Sequence, residues 1–201
     1  MEPLQILTDE HELIRSYLND TSVALYQMSN NKWPEKEFFE MGVEFTKSFS
    51  DKFHHYKEEY IMFLKLAQKK KGSIDSEIML LRDQHESARN FTIGISRSLD
   101  KYTQKDSVHA AAIAENLGYY NLLLRQHIHR EDHIFYPMAR ELFTESEQND
   151  MLEDFKKAEE KFQPDFVGIS KAKVEKMSAL LKEQFGDEYE SRLEFITKIH
   201  K

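Results

Sequence analysis

HHYKEE at residues 54–59 and HIHRED at residues 127–132 carry one pattern twice, a histidine followed four positions later by a glutamate. On an α-helix, residues four apart share a face at about 6 Å, so His54 with Glu58, and His127 with Glu131, can each aim an imidazole and a carboxylate at one point. Each pair is half of a metal site. The periodicity around them says what could bring the halves together.

Leu4, Leu7, His11, Ile14 and Leu18 recur at steps of three and four, the inward stripe of a first amphipathic helix that ends near Ser29-Asn30-Asn31. Trp33-Pro34 breaks the pattern. From Glu35 a second helix runs through Val43, Phe49, His54, Glu58, Ile61 and Leu64 to Lys69-Lys70-Lys71 before Gly72. A third begins near Ile74, carries Ile78, Leu81, His85, Ala88, Ile95 and Leu99 on one face, and closes over Tyr102-Thr103-Gln104-Lys105-Asp106. The fourth aligns Ile113, Leu117, Tyr120, Leu124, His127, Glu131, Ile134 and Met138, and Pro137 is expected to kink or end it, with Phe135 and Tyr136 closing its buried part. The first and third helices thus add one inward histidine each, His11 and His85.

Antiparallel neighbours bring two residues to one level when both lie equally far from the connecting turn. About 21 residues separate His11 from the break at Lys32-Trp33, and about 21 more lead to His54, roughly 30 Å each way at 1.5 Å per residue. From His85 to the turn near Gln104 and on to His127 the legs are about 19 and 23, and from His54 to Lys71 and on to His85 about 17 and 14. All six side chains can therefore meet at one depth of an all-α, up-down-up-down four-helix bundle. Four imidazoles and two carboxylates suit Fe, Mn or, less selectively, Zn, and carry charge enough for two divalent ions bridged by carboxylates.

Composition narrows the alternatives. A chain of 201 residues supports one sizeable core, and only 6 Gly and 4 Pro leave little material for the turns of a sandwich or barrel. With 28 basic against 36 acidic residues the net charge is −8, so no global field draws a nucleic acid or an anionic membrane. The absence of cysteine removes disulfides, thiolate nucleophiles and Cys-ligated metal or iron–sulfur sites, leaving His and carboxylate as the ligands for any metal. Met1-Glu2-Pro3-Leu4 has no basic leader, and charge interrupts every apolar run before the roughly 18 to 20 residues a bilayer needs. A soluble, cytoplasmic protein is expected.

One His, then HxxxE, then one His, then HxxxE, over roughly residues 1–143, resembles the hemerythrin-like HHE cation-binding family. The resemblance implies a non-haem di-iron centre, with Mn or Zn as substitutes, held by His11, His54, Glu58, His85, His127 and Glu131, the two glutamates bridging. It implies binding or sensing of O2 or a related small ligand such as NO or peroxide rather than a dedicated enzyme. The alternatives are a di-iron redox enzyme acting on peroxide or NO, and an iron storage or delivery protein. The oxygen carriers of the family add a second histidine four residues after the third-helix ligand and use HxxxxD in the fourth helix. Here Arg89 stands at the first of those positions, which argues against simple reversible O2 transport, and Asp132 keeps HxxxxD alongside the HxxxE of Glu131. Glu131 is assigned because it repeats the HxxxE of the second helix.

Adjacent helical positions point about 100° apart, so His55, His129, His133 and Glu59 are expected on outer faces or behind the ligands. His109 and His200 are expected in solvent, Tyr120 in the core, and Ile61, Met62, Ile134 and Met138 as a dry wall around the ligands. Residues 144–201 form a second unit, a helical extension with apolar positions Met151, Phe155, Phe162, Phe185, Tyr189, Leu193 and Ile196, punctuated by Pro164 and Gly168. It is expected to pack on residues 1–143 or on a second copy in a homodimer.

Overall fold

The computed structural model describes residues 2–69, 72–103 and 107–199, and within them the chain is helical without a strand. Lys70, Lys71, Gln104 to Asp106 and His200 lie outside the described residues. Helix α1 spans Pro3–Ser29, with Pro3 in the first turn, where its missing N–H is not needed. Helix α2, Lys36–Phe45, runs on without a break into two π-helical stretches, π1 at Thr46–His55 and π2 at Glu58–Met62, and then α3 at Phe63–Ala67. Helix α4 spans Gly72–Leu99 and α5 Ser107–Arg130, followed without interruption by π3 at Glu131–Phe135 and α6 at Tyr136–Leu142. Helices α7 (Glu145–Glu159), α8 (Phe166–Phe185) and α9 (Asp187–Ile199) complete the chain.

Pro137 does not end the fourth periodic segment. The return from π to α hydrogen bonding restarts the helix, so Pro137 falls in the first turn of α6, a position that tolerates it. The buried stripe accordingly continues through Tyr136 and Ala139. Helix α7 opens with a capping box in which Thr144 Oγ1 accepts from the Glu147 amide at 3.3 Å and the Thr144 amide donates to Glu147 Oε2 at 2.9 Å. Gly168 lies inside α8, where a Cβ would come within 2.3 Å of the Asp165 carboxylate that caps the helix.

Contacts pair rising residue numbers on one helix with falling numbers on the next. Along α1 and the continuous α5–π3 segment, His11 meets Asp132 and Asn19 meets Arg125; along α4 and α5, Glu77 meets Arg130 and Phe91 meets Tyr119. Along the second helical segment and α4, Lys47 meets Ser96 and Glu59 meets His85. Close approach of α4 to α5 is possible because Gly94 has no side chain: a Cβ there would lie 2.3 Å from Asn116 Oδ1.

Two apolar clusters form the interior. One gathers Ile14, Tyr17, Leu18, Phe45, Phe49, Leu117 and Leu124, the other Leu4, Leu7, Ile61, Met62, Leu81, Phe135 and Ala139. The C-terminal helices join both: Val174, Met177, Leu181, Tyr189 and Ile196 enter the first, Met151, Phe155 and Ala158 the second. Between the clusters, at the same level on each long helical segment, lies a polar layer. It is fully enclosed, and burying that much ionisable surface is costly unless it has a partner or a purpose.

Candidate metal centre

His11, His54, Glu58, His85, His127 and Glu131 all lie in this layer, each at most 1% exposed. The structure brings the six together. His11 Nε2 lies 3.2 Å and His127 Nε2 3.1 Å from Glu131 Oε2, while His54 Nε2 lies 3.6 Å and His85 Nε2 3.4 Å from Glu58 Oε2. His85 Nε2 and His127 Nε2 are 3.1 Å apart. Two overlapping groups of ligand atoms result, His11-His54-Glu58-Glu131 and His55-Glu58-His85-His127, each drawn together within 4.8 Å. Glu58 belongs to both.

Behind the ligands a second ring of side chains fixes each imidazole. His11 Nδ1 lies 2.8 Å from Asp132 Oδ1, His54 Nδ1 2.9 Å from Glu10 Oε2, His85 Nδ1 2.7 Å from Glu59 Oε1 and His127 Nδ1 2.9 Å from Gln84 Oε1. Each Nδ1–H thereby donates outward, so that on a neutral ring the Nε2 lone pair faces the centre. Asp132 is thus placed behind His11, where Arg15 also holds it, and Glu131 is the residue turned inward. Glu59 likewise sits behind His85, bonded by Arg89 at 2.6 Å.

Charge in the layer is unbalanced in a way a cation would cure. Burial, reinforced by the neighbouring Glu58 carboxylate, pushes Glu131 well above the usual carboxylate range. Burial acts on Glu58 in the same sense, yet His54 and then His85 outweigh it and hold Glu58 well below that range. His54 and His127 are held well below the ordinary imidazole value by burial. For His85 burial is overcome by hydrogen bonds to Glu58 and Glu59, which bring it up to about 9. Two like carboxylates at one site cannot both ionise without an added positive charge. The donor set passes a second test of fit, because His11 Nε2, His54 Nε2, Glu58 Oε2 and both Glu131 carboxylate oxygens are buried without a hydrogen-bond partner.

Four residues have roles that periodicity alone did not assign. His55 is 2% exposed and stacks on His85 with ring centroids 3.8 Å apart, so it is not on an outer face. His54 and His55 end the π1 stretch, and this segment is covered on more than one side, with Phe53, His54 and His55 all buried. Tyr136 stacks against His11 at 5.6 Å and donates its hydroxyl to Glu58 Oε1 at 2.6 Å. Glu10 is pushed up to about 7 by burial despite its ion pair with Lys57, itself fully buried. The remaining expectations divide. His129 and His133 are exposed, Tyr120 is core, and Ile61 and Met62 are buried, but Ile134 is turned outward at 42% exposure and walls nothing. His109, expected in solvent, is half-buried and has an interaction partner.

A cavity of about 230 Å³ opens beside this layer, lined by Ser50, Asp51, His55, Arg89, Thr92 and Tyr120 among others. None of the described helices is long and apolar enough to cross a membrane.

Comparison with known proteins agrees with the geometry. The model of the hemerythrin HHE cation-binding domain matches residues 2–139, more than half of the chain. Uncharacterized proteins of Mycobacterium tuberculosis and Mycobacterium bovis are 25% identical over 118 residues, 59% of this chain and 46% of theirs. The chain therefore spans about half the length of these curated relatives. No solved structure matches it.

Proposed function

We propose that this chain, which belongs to the hemerythrin HHE cation-binding domain family, holds two iron ions and uses them to bind or sense a small ligand: O2, NO or peroxide. One ion would be held by His11 and His54, the other by His85 and His127, with Glu58 and Glu131 shared between them. Residues 1–143 are read as an up-down-up-down four-helix bundle, with 144–201 as an extension packed on it in cis. The observation that carries the reading is the set of unpartnered, fully buried imidazole and carboxylate atoms converging on one centre. When bound, the iron pair would supply open coordination positions and redox-active metal for a diatomic or peroxide ligand.

The residues of the chain do the rest. Asp132, Glu10, Glu59 and Gln84 hold the imidazoles at fixed tilt, and the apolar clusters above and below keep water from the layer. Tyr136 holds a proton 2.6 Å from Glu58 Oε1, where it can stabilise negative charge on that carboxylate. The small cavity beside His55 fits a small ligand and no large substrate. Full burial with every ligand histidine braced from behind favours retention of the metal over storage or delivery. Turnover of peroxide or NO is the second reading, favoured by the Tyr136 proton source at the centre.

Anaerobic loading of the full chain with Fe(II), metal analysis, and optical spectra under argon, air and NO test the proposal. Two irons per chain and a reversible spectral response to gas are expected. Irreversible loss of the response with consumption of peroxide or NO would move the assignment to the enzyme, and a chain devoid of iron after loading would refute it.

A further inference from the structure

Resting on the di-iron reading, we propose that His55 is a fifth imidazole ligand, giving the metal ion held by His85 and His127 three histidines and the other ion two. The chain has Arg89 on α4 one turn after His85, and the geometry points to His55, from the neighbouring helical segment, as the ring that completes this half of the site. The fifth imidazole thus comes from π1 instead of α4.

Three independent observations carry the assignment. First, a ring nitrogen of His55 is drawn within 4.8 Å of ligand atoms of Glu58, His85 and His127, although neither of its nitrogens has a hydrogen-bond partner and the residue is 2% exposed. An unpartnered buried imidazole is costly, and stacking on His85 does nothing for its polar atoms. Second, the side chain nearest His55 Nδ1 is again a carboxylate, though beyond hydrogen-bond reach, unlike the 2.7–2.9 Å braces of the other four histidines. Its Nδ1 faces Asp51 Oδ1 at 3.7 Å, and Asp51 is held by Arg89 Nε at 2.7 Å. With Nδ1 turned to a carboxylate, Nε2 is the nitrogen left for a metal. Arg89 therefore does not merely vacate a ligand position: it anchors the carboxylates behind two ligand rings, Asp51 behind His55 and Glu59 behind His85. Third, His55 closes π1, a local departure from α-helix in which it is buried beside His54, and such departures are frequent at functional sites. The cavity of about 230 Å³ that His55 lines then opens on the three-histidine ion.

Co(II) titration of the intact chain, followed by its visible bands and by metal analysis, tests this with a readout other than activity. Wild type is expected to take two ions. His55→Phe keeps an aromatic ring against His85 but removes both nitrogens, and His55→Ala opens the site. In both, one ion is expected to bind as before and the other at least about tenfold to a hundredfold more weakly, with altered bands, and millimolar imidazole is expected to restore the second ion in His55→Ala alone. If His55→Phe takes both ions with wild-type affinity and bands, the ring is a packing partner and the inference falls while the di-metal reading stands. If wild type takes no metal, both fall together. Should the variants fail to fold by far-UV circular dichroism, a crystal structure of the cobalt-loaded wild type decides: a His55 nitrogen about 2.1 Å from the metal supports the assignment, and one directed elsewhere overturns it.

Discussion

Glu58 and Glu131 are both fully buried at the centre of the polar layer, yet neutralising them should have opposite consequences for the metal-free protein. Burial and the neighbouring Glu58 push Glu131 well above the usual carboxylate range and favour its neutral form, which Glu131→Gln mimics with an amide of nearly the same shape. The expected change in apo stability is within about 1 kcal/mol. Glu58 is ionised, accepts from Tyr136 at 2.6 Å and balances the His85 imidazolium at 3.4 Å. Removing one partner from a buried, hydrogen-bonded charge pair costs roughly 3–5 kcal/mol. For a chain of this size that is a fall in Tm of roughly 6 °C or more. The loss of metal stabilisation, by contrast, should be alike in the two variants. A cation bound at a hundred times its dissociation constant adds about 2.7 kcal/mol to wild type, and both variants should lose most of that increment. The assay is thermal unfolding at pH 7, followed by circular dichroism, with and without Mn(II) or anaerobic Fe(II). The reasoning is refuted if Glu131→Gln lowers the apo Tm as far as Glu58→Gln does, or if either variant keeps the full metal-dependent rise.

Metal uptake at pH 7 should release about two protons per chain, one from Glu131 and one from His85, whose pKa near 9 keeps it charged. Calorimetric titrations in buffers of differing ionisation enthalpy measure this, affinity rising with pH, and zero release would contradict it. Asp132→Ala should leave both ions bound but weaken them by about tenfold to a hundredfold, because it removes the brace behind His11 and no ligand; an emptied site by metal analysis would put Asp132 among the ligands instead. Asp20, which accepts from Ser178 at 2.6 Å and Tyr189 at 2.8 Å, is raised to about 6 by burial. Its folded pKa exceeds the unfolded value, so its contribution is intact below pH 3.8 and is lost as pH rises through about 6. Asp20→Asn should flatten that part of the stability profile in urea titrations, by up to about 3 kcal/mol. Leu181→Ala, at a fully buried position of α8, should cost about 2–5 kcal/mol in the same assay, whereas a loss under 1 kcal/mol would mean the C-terminal helices are not part of the core.

The six convergent side chains were legible because steps of three and four place them on inward faces whatever the fine geometry of the helix. His55 was not, since adjacent helical positions point apart and the packing of His55 against His85 is a tertiary fact. The one hint is the doubled histidine of His54-His55 ahead of the doubled acid of Glu58-Glu59, of which His55 and Glu59 appeared redundant. Tyr136 was hidden by the proline after it, which reads as a stop unless the helix restarts there. Glu10 and Lys57 look like surface charges in a one-dimensional reading, because long ionisable side chains are almost never fully buried unless paired, and the pairing is a tertiary fact.

Lys57 gives that pairing a longer reach. Its ammonium group, wholly out of solvent, sits 3.8 Å from the centroid of Phe53 and is shared between Glu10, which orients His54, and Glu159 at 2.9 Å on α7. Peeling α7 away would take one of the two carboxylates from Lys57 and uncover its ammonium group, leaving Glu10 as its remaining partner. The last turn of α7 and an inner imidazole are thereby joined through a single buried ammonium group.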